Sequence, residues 1–213
     1  MILEPILLFG AGGHAKSCID VIEQEGRFTI VGLIGKKDEV GSSILGYPII
    51  GTDADLSILI NKSQNALITI GQIKTPEPRI HLFNLLKQNG FNLPKIISPK
   101  AYISAHAAVG SGTVVFHGAI VNAGAVIGDN CIINSQSLVE HDAIINEHCH
   151  ISTGAIINGD TNIGSRTFIG SGSRIREGIN IGEQCFIGMG QNIFVDCDSK
   201  SRIPQLKDLP GKH

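Results

Sequence analysis

From Ile103 to Asp198 the chain runs through sixteen consecutive hexads, and every one opens on Ile or Val. The series Ile103, Val109, Val115, Val121, Ile127, Ile133 continues to Ile193 with no insertion. A helix would repeat every ~3.6 residues and a half-buried strand every ~2, so neither accounts for six. A period held this long marks a repeat architecture, in which each unit buries its apolar face on the next.

The hexad has its own grammar. A β-branched opener suits a short strand and buries apolar area at each turn. The fifth position is small, as at Ala107, Thr113, Ala119, Ala125, Cys131 and Ser137, which fits the inside of a tight corner. The second is often Gly or Asn, as at Gly110, Asn122, Gly128 and Gly164. Those residues accept the positive φ that a corner demands. Each hexad therefore reads as one flat strand plus one corner.

Composition narrows the function classes. Lys and Arg number 17 against 19 Asp and Glu, which leaves no electrostatic footprint for nucleic acid. There is no Trp, in keeping with a narrow interior. No apolar run approaches the length of a membrane span. The opening MILEPILLFGAGG lacks a basic leader and reads as a strand entering a glycine turn. The five cysteines include no CxxC pair, so they read as small core residues in a reducing, cytoplasmic setting.

Residues 1–98 follow a different rhythm. Pro5–Phe9 is an apolar run fit for a buried parallel strand. Gly10, Gly12, Gly13 and His14 follow, and then a helical spacing closes at Gly26. Thr29–Ile34 and Ala66–Gly71 predict further strands, Tyr47–Gly51 a turn, and Asp53–Asn61 and Pro78–Asn89 helices. The alternation predicts a small α/β domain with a parallel, Rossmann-like sheet. Its glycine turn, set between strand and helix, fits two readings. It is either a tight turn alone or a phosphate or nucleotide contact made through backbone N–H groups. The full dinucleotide fingerprint is absent, because Ala15 stands at the third glycine position.

The coil resembles the hexapeptide-repeat, left-handed parallel β-helix family, in which three hexads complete one triangular coil. That register stacks Cys131 beneath Cys149, with Thr167 and then Cys185 above. More specifically, LLFGAGGHAKSCIDVIE, LGYPIIG, ALITIGQ and Asn134–Asp160 are similar to the sialic-acid O-acetyltransferase (NeuD) and PglD-like group. The resemblance covers nearly the whole chain. It implies an acceptor-binding domain over 1–98 and an acetyltransferase coil over 99–213. It implies acetyl-CoA as co-substrate, no metal, a homotrimer, and a nucleotide-linked sugar as acceptor for N- or O-acetylation in bacterial surface-glycan or glycoprotein sugar synthesis. N-transfer is the expectation, because the glycine turn and intact α/β domain suit a nucleotide-sugar acceptor.

The resemblance also assigns residues. His141 matches the family's catalytic histidine and Asp142 the acidic residue beside it. His150, Gly159 and Asn134 match positions at the thioester site. Gly10, Gly12, Gly13 and His14 match the acceptor-binding turn. The chemistry suits those roles, since acyl transfer needs a base for the incoming amine, and His titrates near neutral pH. A carboxylate can fix its tautomer and stabilise the imidazolium. Adjacent residues on a flat strand point to opposite faces, so the His141–Asp142 contact requires a corner or a neighbouring subunit. His81 is expected in a helix, and His106 and His148 at the surface. A non-catalytic trimeric scaffold and a zinc lyase are the competing classes. The zinc lyase would need a second histidine five places after the first, but Asn122 follows His117 and Asn146 follows His141 at that interval. The chain departs from the family pattern twice. It carries Gly35-Lys36-Lys37 in place of an acidic pair, and its C-terminal tail lacks the VxGxPAK segment that borders the CoA nucleotide.

Overall fold

The structure is a computed structural model that describes residues 3–204. The atypical tail, 205–213, lies outside the described residues. Two compact units meet in the chain at Pro99 and Lys100.

In the first unit β1 (Glu4–Phe9) is an interior strand of a sheet. It pairs in parallel with β2 (Phe28–Ile34) on one side and β5 (Asn65–Ile68) on the other. Ile6, Leu7 and Leu8 are fully buried, as a strand covered on both faces requires. Helix α1 (Gly13–Glu25) buries Ala15, Cys18, Ile19, Val21 and Ile22 along one stripe. It ends where Gly26 turns left-handed at φ 67° and donates its N–H to the Ile22 carbonyl. A 3-10 turn (Asp53–Asp55) leads into the one-turn α2 (Leu56–Leu59), and α3 spans Glu77–Gln88. His81 lies exposed on α3.

Two expectations are corrected here. Tyr47–Gly51 is a strand, β4, rather than a turn. It runs parallel to β2 and closes an antiparallel hairpin with β3 (Ser43–Ile44), so the sheet is mixed, in the order β3-β4-β2-β1-β5. The reversal is made just earlier, by Leu45 and Gly46, both at positive φ. β5 also stops before Gly71. Thr69 leaves the sheet to donate its N–H to Phe9 and its hydroxyl to the Gly10 carbonyl. The buried Arg79 holds the departing chain through the Ile68 and Ile70 carbonyls.

The second unit is a left-handed parallel β-helix. Each hexad contributes a two-residue strand that pairs with the strand three hexads on, as in Ile120↔Leu138 and Leu138↔Ile156. Three faces result. Tyr102–Ile103, Ile120–Val121 and Leu138–Val139 begin the first, Ala108–Val109 and Val126–Ile127 the second, and Val114–Val115 and Ile132–Ile133 the third. The openers from Val115 to Ile187 point inward and are buried. Each stabilises the coil by about 1.5–3 kcal/mol relative to an exposed side chain. The cysteine column is also present: the Cys149 N–H approaches Cys131 Sγ at 3.4 Å, and Cys185 N–H donates to Thr167 Oγ1 at 3.0 Å.

The corners differ from the expectation. Positive φ falls on the fourth position of the hexad, at Asn130, Gln136, Asp142, His148, Asp160, Arg166 and Gln184 among others. The second position is small for another reason. A Cβ on Gly128 would come within 2.6 Å of the Glu147 nitrogen in the coil above. His148 is also buried, its Nδ1 3.0 Å from Asn130 Nδ2, whereas His106 is exposed as expected. The stacked corner encloses a side chain that the hexad position alone places at the surface. The last hexad is irregular too, because Cys197 rather than Ser199 bridges to Ile181.

Candidate active site

His141 and Asp142 occupy the corner between the strand Leu138–Val139 of the first face and Ile144–Ile145 of the second. Asp142 has φ 59°, so the alternation of a flat strand breaks between the two residues. Both side chains then meet, with His141 Nδ1 3.0 Å from Asp142 Oδ2. The corner alone makes this contact, without a neighbouring subunit. The pair is open to solvent, at 65% and 66% exposure. Nδ1 is engaged by the carboxylate, which leaves Nε2 as the nitrogen able to take a proton.

Two glycines make room for the pair. A Cβ on Gly159, one coil above, would lie 2.6 Å from His141 Cε1 and 2.7 Å from Nε2. A Cβ on Gly124, one coil below, would overlap Asp142 Oδ1. Gly124 was not foreseen. Its signal in the sequence is its stacking position directly beneath Asp142. Glu140 was missed as well. It accepts a hydrogen bond from Asn122 Nδ2 at 2.8 Å and lies 3.3 Å from the His141 N–H.

This ring of acids sets the titration. The hydrogen bond that His141 Nδ1–H donates to Asp142 is the main cause that raises the His141 pKa above its ordinary value, with desolvation opposing and the charges of Asp142, Glu140 and Asp160 assisting. A base must be neutral to act, so activity should rise with pH along a limb set by that raised pKa. Asp142→Asn removes the charge and keeps an acceptor. Its acid limb should therefore move to lower pH while the plateau falls. A kcat/KM profile between pH 5 and 9 checks this, and an unshifted limb would separate Asp142 from the titrating group.

Asn134 and His150 form a second cluster. Asn134 sits in the corner between the third face and the first, and His150 opens a strand of the third face one coil above. Their nearest side-chain nitrogens are 3.4 Å apart. Asn134 Oδ1 accepts the Ser135 N–H at 2.8 Å, which fixes the amide. His150 is buried and packs edge-on against Phe168 at 5.2 Å. Within one chain this cluster and the His141 corner lie at the two opposite edges of the first face.

In the first unit the glycine turn borders a cleft of about 1390 Å³. Gly10 and Gly12 line it together with Lys36, Lys37 and Lys62. Gly10 has φ 128°, and a Cβ there would lie 2.8 Å from the Ile70 nitrogen, so the turn cannot form with another residue. Gly12 caps α1 with no side-chain bond, and Gly13 begins it with open space around its Cα. The first turn carries no acidic residue. His14 is half-buried behind the turn, its Cβ 3.7 Å from where a Gly71 Cβ would stand. Of the acids in the cleft, Asp55 is occupied by Thr52, whose N–H and hydroxyl hold its carboxyl below the usual range. Glu39 accepts the Lys36 N–H at 2.7 Å. Lys36 and Lys37 were noted in the sequence only as a departure from an acidic pattern, and neither Lys62 nor their shared place in the cleft lining was foreseen. Among the described residues no group of three or more His, Cys, Asp or Glu is placed to hold a metal ion.

Comparison with known proteins matches residues 5–83 to the PglD N-terminal domain and residues 124–159 to the bacterial transferase hexapeptide (six repeats). The acetyltransferase domain of PglB from Neisseria gonorrhoeae, solved with acetyl coenzyme A, is 30% identical, with 94% of this chain and 96% of that chain covered and a TM-score of 0.87. A histidine mutant of perosamine N-acetyltransferase from Caulobacter crescentus, in complex with CoA and GDP-perosamine, is 28% identical over 94% and 93%, with a TM-score of 0.88. WeeI from Acinetobacter baumannii, 20% identical over 93% and 95%, shares the fold with a TM-score of 0.71. No curated protein matches the chain.

Proposed function

The chain belongs to the PglD-like hexapeptide sugar acetyltransferases, and we propose that it moves the acetyl group of acetyl-CoA to the amino group of a nucleotide-linked sugar. The observation that carries this reading is the His141–Asp142 pair, seated between Gly124 and Gly159 in a coil whose companion domain bears an open glycine-turn cleft. The likeness to an enzyme solved with CoA and GDP-perosamine supports the same donor and acceptor class.

The chemistry follows from the site. Neutral His141 takes a proton through Nε2 from the sugar nitrogen as that nitrogen attacks the thioester carbonyl. Asp142 stabilises the imidazolium. His150, anchored by Phe168 and near Asn134, is suited to donate a hydrogen bond to the developing oxyanion. Collapse of the tetrahedral intermediate expels the CoA sulfur, which recovers the proton from His141. The products are the acetamido sugar and CoA thiol.

One chain holds these groups at opposite edges of its first face, so the site is read as shared in a homotrimer. Threefold packing of that face sets the His141 corner of one copy against the Asn134–His150 corner of the next. Tyr102 and Ile120, exposed apolar residues on the face, support this. Ile120→Glu should give a less active, smaller species by light scattering, and an active wild-type monomer would sink the trimer.

No helix among the described residues is long and apolar enough to cross a membrane, and we place the enzyme in the cytoplasm, in bacterial surface-glycan or glycoprotein sugar synthesis. The deciding assay is CoA thiol release from acetyl-CoA against a panel of nucleotide amino sugars and of hydroxyl acceptors. Release with a nucleotide amino sugar supports N-transfer. Release with hydroxyl acceptors alone would favour O-transfer, and release with neither would leave a scaffold.

The acceptor site has its own test. Val at Gly13 meets no protein atom within 4 Å of its Cβ, so the fold should survive. The added bulk should obstruct an anion approaching the α1 N-terminus. Loss of one charged hydrogen bond, about 1.5–3 kcal/mol, corresponds to roughly a 10- to 150-fold rise in acceptor KM. The acetyl-CoA KM should stay fixed. Calorimetry in which both ligands weaken equally would instead mean misfolding.

A further inference from the structure

The first unit buries a cation in a place that packing alone does not account for. Arg79 is the third residue of α3 and is fully buried. A basic side chain in the first turn opposes the helix dipole, and burying a guanidinium strips it of water. An apolar side chain would avoid both penalties. What the arginine supplies instead is a pair of charge-assisted hydrogen bonds to backbone, made by a single atom. Its Nη1 donates to the Ile68 carbonyl at 3.0 Å and to the Ile70 carbonyl at 2.7 Å. The guanidinium therefore grips the chain on both sides of Thr69.

That short segment is what the glycine turn rests against. Thr69 donates its N–H to the Phe9 carbonyl at 2.9 Å and its hydroxyl to the Gly10 carbonyl at 2.7 Å. A Cβ on Gly10 would lie 2.8 Å from the Ile70 nitrogen, and one on Gly71 would lie 3.7 Å from His14 Cβ. The two stretches of backbone are thus in close contact from Phe9 to His14. Burial pushes the Cys18 thiol of α1 up to about 12 and the Arg79 charge opposes this, which sets the guanidinium close to α1 as well. Beyond Ile70 the connection to α3 runs to Pro76 without helix or strand and is exposed at Ile73. Chain connectivity alone does not hold such a loop to the turn. Ile70 and Leu82, one turn beyond Arg79 on α3, line the cleft. Arg79 itself has no exposed surface to offer a ligand, so its influence on the cleft passes through the backbone it holds.

We propose that Arg79 is a positioning residue for the acceptor, clamping Ile68–Ile70 against Phe9 and Gly10 and so holding the glycine turn in the shape that presents the start of α1 to the acceptor's phosphates. This rests on the reading of the glycine-turn cleft as the nucleotide-sugar site and adds to it the group that fixes the shape of the turn.

The test is calorimetry on the full-length chain with UDP, GDP, CDP and dTDP, the nucleotide portions of the acceptor class, and separately with acetyl-CoA. Arg79→Met keeps most of the volume and removes the donors. It should weaken the best-bound nucleotide about tenfold and leave acetyl-CoA affinity within about twofold. Lys offers three donors on one nitrogen, and one nitrogen makes both bonds of the clamp. Arg79→Lys should therefore return nucleotide affinity to within about threefold of wild type, although its buried ammonium should leave the melting temperature no higher than that of Arg79→Met. Nucleotide affinity that simply follows the melting temperature across the two variants would overturn the clamp, as would wild-type affinity in Arg79→Met. Should Arg79→Met fail to fold, Thr69→Val decides, because it removes the hydroxyl that the clamp presses onto Gly10. A severalfold loss of nucleotide affinity there supports the proposal, and an unchanged affinity overturns it. Failure of the underlying reading looks different, since Gly13→Val would then leave nucleotide affinity unchanged, and the clamp would fall with the site.

Discussion

His141→Ala should lower kcat by roughly 10²- to 10⁴-fold, the usual scale of general acid–base assistance. Acetyl-CoA affinity should change little, because the imidazole is 65% exposed at a corner and contributes no packing on which the coil depends. The pH profile separates the histidine from the acceptor amine, which also titrates. In wild type the acid limb follows the raised His141 pKa, and in the variant only the amine limb should remain. A variant with near wild-type turnover would remove His141 from the mechanism and leave proximity as the catalytic device.

Gly159→Ala should be almost as damaging without touching the catalytic side chains. The added methyl would stand 2.6 Å from Cε1 and 2.7 Å from Nε2 of His141. Something must move, and the exposed imidazole yields more cheaply than the packed coil. Displacing the base by about 1 Å is expected to cost on the order of 10² in kcat. The melting temperature should stay within a few degrees of wild type, because the ring swings into solvent. Thermal melts and steady-state rates measured together check this. A fall in stability with turnover per folded molecule intact would show that the methyl disturbs the coil rather than the base.

Much of the second unit was legible from residue order because its stabilising contacts repeat. An Ile or Val opening every hexad needs only the same residue three hexads away to complete its ladder, so periodicity fixes strand and spacing, and the resemblance to the three-hexad coil supplies the stack. The Cys131–Cys149 column follows from that register without further information. The first unit was readable where apolar runs and helix stops are local, as in β1 and at Gly26. It was misread at Tyr47–Gly51, because β4 is a strand only by pairing with β2, and that partner lies elsewhere in the chain.

The site divides along the same line. Sequence by itself determined the repeat, the strand–glycine–helix order, and, through resemblance, the candidates His141, Asp142, His150, Asn134 and Gly159. It did so because these are properties of neighbours or of a strict period. Only the tertiary structure decided that the fourth hexad position takes the left-handed turn, which brings Asp142 onto His141. It alone revealed Gly124 beneath that pair, the burial of His148, and three lysines in the lining of the glycine-turn cleft. It also separated Asn134 and His150 from His141 by the width of one face. Side-chain direction at a corner depends on backbone torsions, and proximity across coils depends on how the chain returns. A linear pattern of residue types carries neither quantity.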